Sequence, residues 1–135
     1  MTHPLEKNAK RALVAEDDEV LVEAMATALR RGGFVVDIAR NGQDTVESLR
    51  RSAPDVLLLD LLMPVMDGFD VLAELEAMRA AGAGSPPVVV VSNLSSDDDK
   101  RRGEALGVVE YLVKSDVSLN GIVDAANRAV QGEPK

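Results

Sequence analysis

Short apolar runs alternate with amphipathic segments along the chain, a pattern that predicts alternating strands and helices. Five runs predict strands, at 12–15, 34–39, 56–60, 88–91 and 111–113. A helix is expected after each strand; the first should run over 19–31, and the last, over 119–130, shows the cleanest period. The fourth helix, over 97–106, is highly charged and contains Gly103.

The helices predict which side chains face inward. In the first helix the apolar face is expected to consist of Val20, Leu21, Ala24, Met25, Ala28 and Leu29, and Gly32 and Gly33 should end it. The second helix follows the Asn41–Gly42 turn and carries Val46 and Leu49 inward. The third and fifth carry Val71, Leu72, Leu75 and Met78, and Leu119, Ile122, Val123, Ala126 and Val130.

Strict alternation of strands and helices predicts a parallel sheet covered by helices on both faces. Strands one, three and four are apolar on both faces and belong in the centre, while strands two and five suit the edges. The expected fold is a single α/β, doubly wound (βα)5 domain of the flavodoxin-like type, with strand order 2-1-3-4-5. It should span residues 10–131, between a flexible N-terminal tail, 1–9, and a C-terminal tail, 132–135.

In that strand order the crevice opens at the carboxyl ends of strands one and three. Glu16 and Asp17 follow strand one and Asp60 ends strand three, so three carboxylates should converge there. Taken alone, Asp60 could merely end a strand and cap a loop. A cluster of acids needs a cation, and hard oxygen ligands suit Mg²⁺, with Mn²⁺ as a substitute. Asp18 is expected to cap the first helix rather than bind the metal.

Two further side chains end strands at the same edge of the sheet. Ser92 follows the fourth strand and Lys114 follows the fifth. A hydroxyl and an ammonium placed there can hold phosphate oxygens. Asp60 would then act as a nucleophile that forms an acyl phosphate.

Segment 60–68, Asp-Leu-Leu-Met-Pro-Val-Met-Asp-Gly, resembles the phosphoacceptor motif of receiver domains in bacterial two-component response regulators. The resemblance extends over about residues 10–130. It implies that Asp60 is phosphorylated, that Asp17 binds Mg²⁺ directly and that Glu16 binds it through water. The backbone carbonyl of Leu62 would be a further metal ligand.

The same resemblance implies a switch. Ser92 corresponds to the family's switch hydroxyl, Tyr111 to its rotating aromatic residue and Lys114 to its invariant lysine. Phosphorylation adds about −1.5 to −2 charges. Ser92 is expected to move toward the phosphate, Tyr111 to turn inward, and the face formed by helix four, strand five and helix five to change shape.

The chain departs from the family pattern beside the site. Ser115 follows Lys114 where proline with a cis peptide bond is usual, and a cis bond costs about 3–4 kcal/mol without proline, so a trans bond is expected. Asn93 stands where a very small residue is usual. Leu62 and Leu94 occupy positions that flank the phosphate and are often polar. The hypothesis is that these apolar side chains fail to orient attacking water, which would make the phosphorylated form long-lived.

Composition narrows the classes of function. There is no cysteine, the net charge is −8, and no segment has the roughly 20 apolar residues needed to span a bilayer. The acidity argues against direct binding to nucleic acid, and the expected location is the cytoplasm, without membrane contact. His3, the only histidine, lies in the polar N-terminal tail, so the reactive histidine should belong to a partner histidine kinase or histidine phosphotransfer protein.

The expected function is a signalling switch that catalyses its own phosphotransfer and dephosphorylation without being a conventional turnover enzyme. The alternative is a pseudo-receiver that is never phosphorylated and acts as a docking module. A phosphatase of the haloacid dehalogenase type would need an acid where Leu62 stands. Homodimerisation through the changing face is compatible with the sequence. The cognate kinase, the downstream target and whether the chain is a fragment stay open.

Overall fold

The structure is a computed structural model that describes residues 9–132. The predicted tails at 1–9 and 132–135, and with them His3, lie almost wholly outside the described residues. The strands are β1 (Lys10–Ala15), β2 (Phe34–Ala39), β3 (Val56–Leu59), β4 (Val88–Ser92) and β5 (Val108–Val113). The helices are α1 (Glu19–Arg31), α2 (Gly42–Arg51), α3 (Gly68–Ala80), α4 (Asp97–Ala105) and α5 (Leu119–Gln131), and a short 3-10 turn covers Lys114–Asp116.

The five strands form one parallel sheet in the order β2-β1-β3-β4-β5. The predicted doubly wound fold is therefore confirmed, with β2 and β5 at the edges. Among the described residues, no helix has the length and apolar content to cross a bilayer.

Two apolar cores lie on the two faces of the sheet. Leu13 and Leu57 point into one core, and the next residues along, Val14 and Leu58, point into the other. Helices α1 and α5 cover the core that contains Val14 and Leu58. Helices α2 and α3 cover the core that contains Leu13 and Leu57. Because both faces are covered, all four residues of β3 are buried.

All five α-helices begin at the carboxyl edge of the sheet with a side-chain cap. Asp18 accepts a hydrogen bond from the N–H of Leu21 at 3.0 Å, which confirms its predicted role as a helix cap. The other caps are Asn41, Asp67, Ser96 and Ser118. Such a cap stabilises a helix by about 1 kcal/mol, and it fixes where each strand-to-helix loop ends.

The predicted inward face of α1 was wrong in part. Its buried residues are Val22, Met25, Ala26 and Leu29, whereas Val20 is 82% exposed. The helix offers two overlapping apolar stripes, because Leu21 also packs against the core from its margin. Contact with the sheet selects the stripe centred on Met25, and this leaves Val20 in solvent in the first turn.

Two strands begin earlier than predicted because charged side chains inside them find partners. In β1, Lys10 donates to Oδ1 of Asn127 at 2.6 Å and lies 4.7 Å from the centre of the Phe34 ring. In β5, Glu110 accepts two hydrogen bonds from Arg128, at 2.7 and 3.2 Å. A charge satisfied in this way is compatible with a strand.

Candidate functional site

Three carboxylates meet where β1 and β3 end. The strands pair in register, Ala15 beside Leu59, so the residues that follow them leave the sheet side by side. The backbone N–H of Asp60 donates to the carbonyl oxygen of Ala15 at 3.0 Å. One oxygen each from Glu16, Asp17 and Asp60 lies within 4.8 Å of the others. The predicted convergence of these acids is therefore present.

The three acids differ in exposure. Glu16 and Asp60 are buried, whereas Asp17 is exposed. The corner is thus open to solvent at Asp17.

Lys114 links the two buried carboxylates. Its Nζ lies 2.8 Å from Oε1 of Glu16 and 2.9 Å from Oδ2 of Asp60. Burial by itself lowers the pKa of Lys114, but the two carboxylates outweigh it and the net pKa is raised. The residue is a protonated cation at neutral pH.

Both carboxylate oxygens of Glu16 have partners. Its Oε2 accepts from the backbone N–H of Asp18 at 3.1 Å. Its buried Oε1 lies 2.8 Å from Nζ of Lys114, so this oxygen pairs with the ammonium. Burial raises the pKa of Glu16, the charge of Asp60 adds to this rise, and Lys114 and the Asp18 N–H oppose it. Beside Lys114, Oε1 keeps a second lone pair that a metal ion could take.

The loop between β3 and α3 folds around Asp60. The N–H of Leu62 donates to Oδ1 of Asp60 at 3.1 Å, and the N–H of Gly68 donates to the carbonyl of Leu61 at 3.0 Å. A Cβ at Gly68 would lie only 2.4 Å from the carbonyl oxygen of Asp60. The glycine therefore lets α3 start directly against the backbone of the acceptor residue.

Ser92 and Tyr111 both bond to the loop after β4. Ser92 is buried, and its Oγ accepts from the N–H of Leu94 at 3.2 Å. The hydroxyl of Tyr111 donates to the carbonyl oxygen of Leu94 at 2.5 Å. Burial raises the pKa of Tyr111, with further contributions from the charges of Asp99 and Asp60. The two predicted switch residues thus share one loop as their partner.

The residues predicted to flank the phosphate lie at the same edge of the sheet. Leu62 is 54% exposed and Asn93 is exposed, while Leu94 is half-buried against the core that contains Leu57. The peptide between Lys114 and Ser115 is trans, as expected from the missing proline. The roles of the flanking residues stay predictions.

The donor set fits Mg²⁺. It consists only of hard oxygen ligands, and when all groups are ionised the three carboxylates exceed the Lys114 ammonium by two negative charges. The second lone pair on Glu16 Oε1 and the exposed carboxylate of Asp17 also suit a metal ion. Asp17, Glu16, Asp60 and the backbone carbonyl of Leu62 would hold the ion.

One residue next to the site was not singled out by sequence reasoning. Asn41–Gly42 was interpreted only as a turn, yet Gly42 lies directly against the backbone of Met66 in the β3–α3 loop. A glycine after asparagine is so ordinary a turn signal that nothing local distinguishes this role.

A family model described as the response regulator receiver domain matches residues 12–127. The sensory transduction protein RegX3 of Mycolicibacterium smegmatis is 36% identical over 102 residues, which cover 76% of this chain and 42% of that protein. The transcriptional regulatory protein PdtaR of Mycobacterium tuberculosis is 34% identical over 122 residues, which cover 90% of this chain and 57% of that protein. The chain spans about half the length of these relatives.

Solved structures show the same fold. The receiver domain of the Francisella response regulator 1452 superposes with a TM-score of 0.80 at 25% identity, covering 91% of this chain and 98% of that one. The Vibrio cholerae chemotaxis protein CheY4 gives a TM-score of 0.78 at 22% identity, with 90% and 98% covered. At that identity the second likeness concerns the fold alone.

Proposed function

This chain belongs to the response regulator receiver domain family, and from that premise we propose that it is a signalling switch that accepts a phosphoryl group on Asp60. The donor is the phosphohistidine of a histidine kinase or histidine phosphotransfer protein, and the reaction requires Mg²⁺ or Mn²⁺. The cytoplasm is the proposed location.

One observation carries the proposal. Both carboxylate oxygens of Asp60 accept hydrogen bonds, and the carboxylate lies beside two other acids, where a cation is needed to balance the charge. Oδ1 accepts from the N–H of Leu62 and Oδ2 from Lys114 Nζ. Each oxygen keeps a second lone pair for a nucleophilic attack. A strand-ending aspartate that only capped a loop would need neither a half-buried ammonium nor two acidic neighbours.

The proposed transfer forms one bond and breaks one bond. An oxygen of Asp60 bonds to phosphorus while the bond from phosphorus to the donor imidazole nitrogen breaks, and the electron pair returns to the imidazole. The product is an acyl phosphate on Asp60. Hydrolysis later restores the carboxylate when water attacks the phosphorus.

The residues around Asp60 have separate tasks in this transfer. Bound Mg²⁺ would neutralise charge that develops on the phosphoryl oxygens. Lys114 is already positioned as a cation 2.9 Å from Oδ2 and would hold a phosphoryl oxygen in the product. Ser92 would turn its hydroxyl from the Leu94 N–H toward another phosphoryl oxygen.

The same movement would transmit the signal. The carbonyl oxygen of Leu94 accepts from the Tyr111 hydroxyl, and the N–H of Leu94 donates to Oγ of Ser92. A shift of Ser92 therefore alters the loop that holds Tyr111. The surface formed by α4, β5 and α5 would change with it and control a partner or self-association. The alternative is a docking module that is never phosphorylated.

The test is phosphorylation by acetyl phosphate with Mg²⁺, read by intact-protein mass spectrometry. We expect a gain of one phosphoryl group that disappears in Asp60→Asn and without divalent cation. Asp124→Asn, which alters an exposed acid on α5, should gain it as the wild type does. If neither acetyl phosphate nor a phosphorylated histidine kinase produces the gain, the docking module is favoured instead.

A further inference from the structure

Helix α2 begins in direct contact with the loop that follows Asp60. A Cβ at Gly42 would lie 2.0 Å from the carbonyl oxygen of Met66 and 2.7 Å from its carbonyl carbon. Real Cβ atoms do not approach other atoms so closely. Because the obstructing atoms belong to the backbone, no change of rotamer makes room, and any side chain at Gly42 must displace α2 or the loop.

The loop has little freedom to absorb such a displacement at Met66. The N–H of Met66 donates to the carbonyl of Pro64 at 2.8 Å, around Val65 with φ of +71°. This is a tight turn in a conformation that β-branched residues rarely adopt. If a side chain at position 42 displaced Met66, the displacement would therefore move the neighbouring backbone rather than be absorbed by a local rotation.

The loop passes the displacement on to the acceptor residue. It is closed at its base by the hydrogen bond from the Gly68 N–H to the Leu61 carbonyl, at 3.0 Å. The next residue, Leu62, donates its N–H to Oδ1 of Asp60. Residues 61–68 thus form one bonded unit with Met66 near one end and the Asp60 carboxylate at the other.

We propose that Gly42 is a positioning residue for the Mg²⁺ site. Its lack of a side chain fixes the place of loop 61–67, and the loop in turn fixes the backbone of Leu62 and the carboxylate of Asp60. The inference rests on the proposed function, which assigns Asp60 and the Leu62 carbonyl to the ion. Gly42 itself acts only through Met66.

The experiment compares Mg²⁺ binding in the wild type and Gly42→Ala, followed by the amide resonances of Leu62 and Gly68 during a Mg²⁺ titration. Loss of groups that orient metal ligands typically weakens binding by 10–100-fold, and we expect the dissociation constant to rise by about tenfold or more. Urea unfolding without Mg²⁺ measures the accompanying change in stability.

Gly32→Ala is the matched control. A Cβ at Gly32 would lie 2.9 Å from Cγ1 of Val123, so the same substitution also crowds a neighbour. Gly32 follows the C-terminal end of α1, at the opposite edge of the sheet from the acids. It should lower stability while the Mg²⁺ dissociation constant stays within about twofold of the wild type.

The outcomes separate a positioning role from a structural one. A folded Gly42→Ala protein that binds Mg²⁺ as the wild type does overturns the inference, as does a wild type without Mg²⁺ affinity. If Gly42→Ala does not fold, Gly42→Ala/Met66→Gly is compared with Met66→Gly, since glycine lets the carbonyl reorient. Weaker Mg²⁺ binding in the double variant supports the inference, and equal binding overturns it. A wild type that binds Mg²⁺ but never gains phosphate contradicts only the proposed function.

Discussion

Two helical glycines near opposite edges of the sheet have very different surroundings. A Cβ at Gly42, at the start of α2, would run into the Met66 backbone at 2.0 Å. A Cβ at Gly103, in α4, would meet the Tyr111 ring and the Val108 side chain at 3.5 Å, which is ordinary contact. On the acceptor side of the domain, meaning α2 and the β3–α3 loop, there is no space for a Cβ at Gly42, whereas on the α4 side, meaning α4 and β5, a Cβ at Gly103 fits at ordinary contact distance.

The acceptor side also buries more residues than the α4 side. Helix α2 buries Gly42, Thr45, Val46 and Leu49, whereas α4 buries only Gly103. Every residue of β3 is buried and no residue of β5 is. Since buried apolar area supplies most of the stabilisation, α4 and β5 belong to the least stable part of the domain.

Specific contacts add to the partial core packing that holds α4 and its neighbours. The Arg102 guanidinium lies 3.7 Å from the centre of the Phe69 ring, and the Tyr111 hydroxyl bonds to Leu94. A cation–π contact of this kind contributes about 0.5–1 kcal/mol. In the proposed switch, the acceptor side keeps the reacting groups in place, and the weakly held side can be shifted by a small free energy.

Lys114 joins the two regions, and its loss should have the largest effect. Lys114→Met leaves the Glu16 and Asp60 carboxylates buried together without a cation. We expect the free energy of unfolding to fall by about 3 kcal/mol at neutral pH without Mg²⁺, measured by urea unfolding, and Mg²⁺ to restore part of it.

Arg50→Met is the control for charge removal, because it breaks an exposed pair with Glu74, at 3.1 Å. Its cost should stay below about 1 kcal/mol. Equal losses for the two variants would show that the Glu16–Asp60–Lys114 cluster is held no more tightly than an exposed ion pair.

Leu62→Asn tests the lifetime of the phosphorylated form on the acceptor side. A polar side chain there should orient attacking water and shorten the lifetime about tenfold, the equivalent of one hydrogen bond or about 1.4 kcal/mol. Release of inorganic phosphate over time measures the rate, with Val35→Asn on edge strand β2 as the control. A wild-type lifetime of seconds that Leu62→Asn leaves unchanged would remove the hypothesis.

Gly103→Ala should raise the free energy of unfolding, whereas Gly42→Ala should lower it. The added methyl group makes ordinary contacts, and alanine favours a helix over glycine by about 1 kcal/mol. Urea unfolding should show that gain, and hydrogen exchange should slow at the amides of α4. A loss of stability at Gly103 would mean that α4 is packed as tightly as α2.

The smallest expected effect concerns Tyr111, the only tyrosine. Its pKa is raised above 10.0 by burial and by the charges of Asp99 and Asp60. The folded protein therefore holds the phenolic proton more tightly than the unfolded chain, and stability should fall as pH rises above 10.0. Tyrosinate absorbance reports the titration directly. Asp99→Asn on α4 should lower this pKa and Asp124→Asn should not, and an unchanged titration would place α4 farther from β5.

Much of the site could be predicted because strand polarity and strand order need only local patterns. The alternation of runs gives the 2-1-3-4-5 sheet, and the carboxyl ends of its central strands bring Asp60 to Glu16 and Asp17. The cap at Asp18 was likewise readable from its place before a helix. The exposure of Val20 could not be predicted, because two stripes on α1 were equally apolar.

The sequence alone therefore determined the order of the elements, the edge of the sheet where chemistry is placed, and the residue types gathered there. Tertiary structure decided how these parts fit: which stripe of α1 is buried, that Lys114 bridges two buried acids, and that Gly42 meets Met66. The reason is physical. Periodicity and capping depend on neighbours along the chain, whereas close approach depends on how distant elements pack, and a glycine in a turn carries no local sign of it.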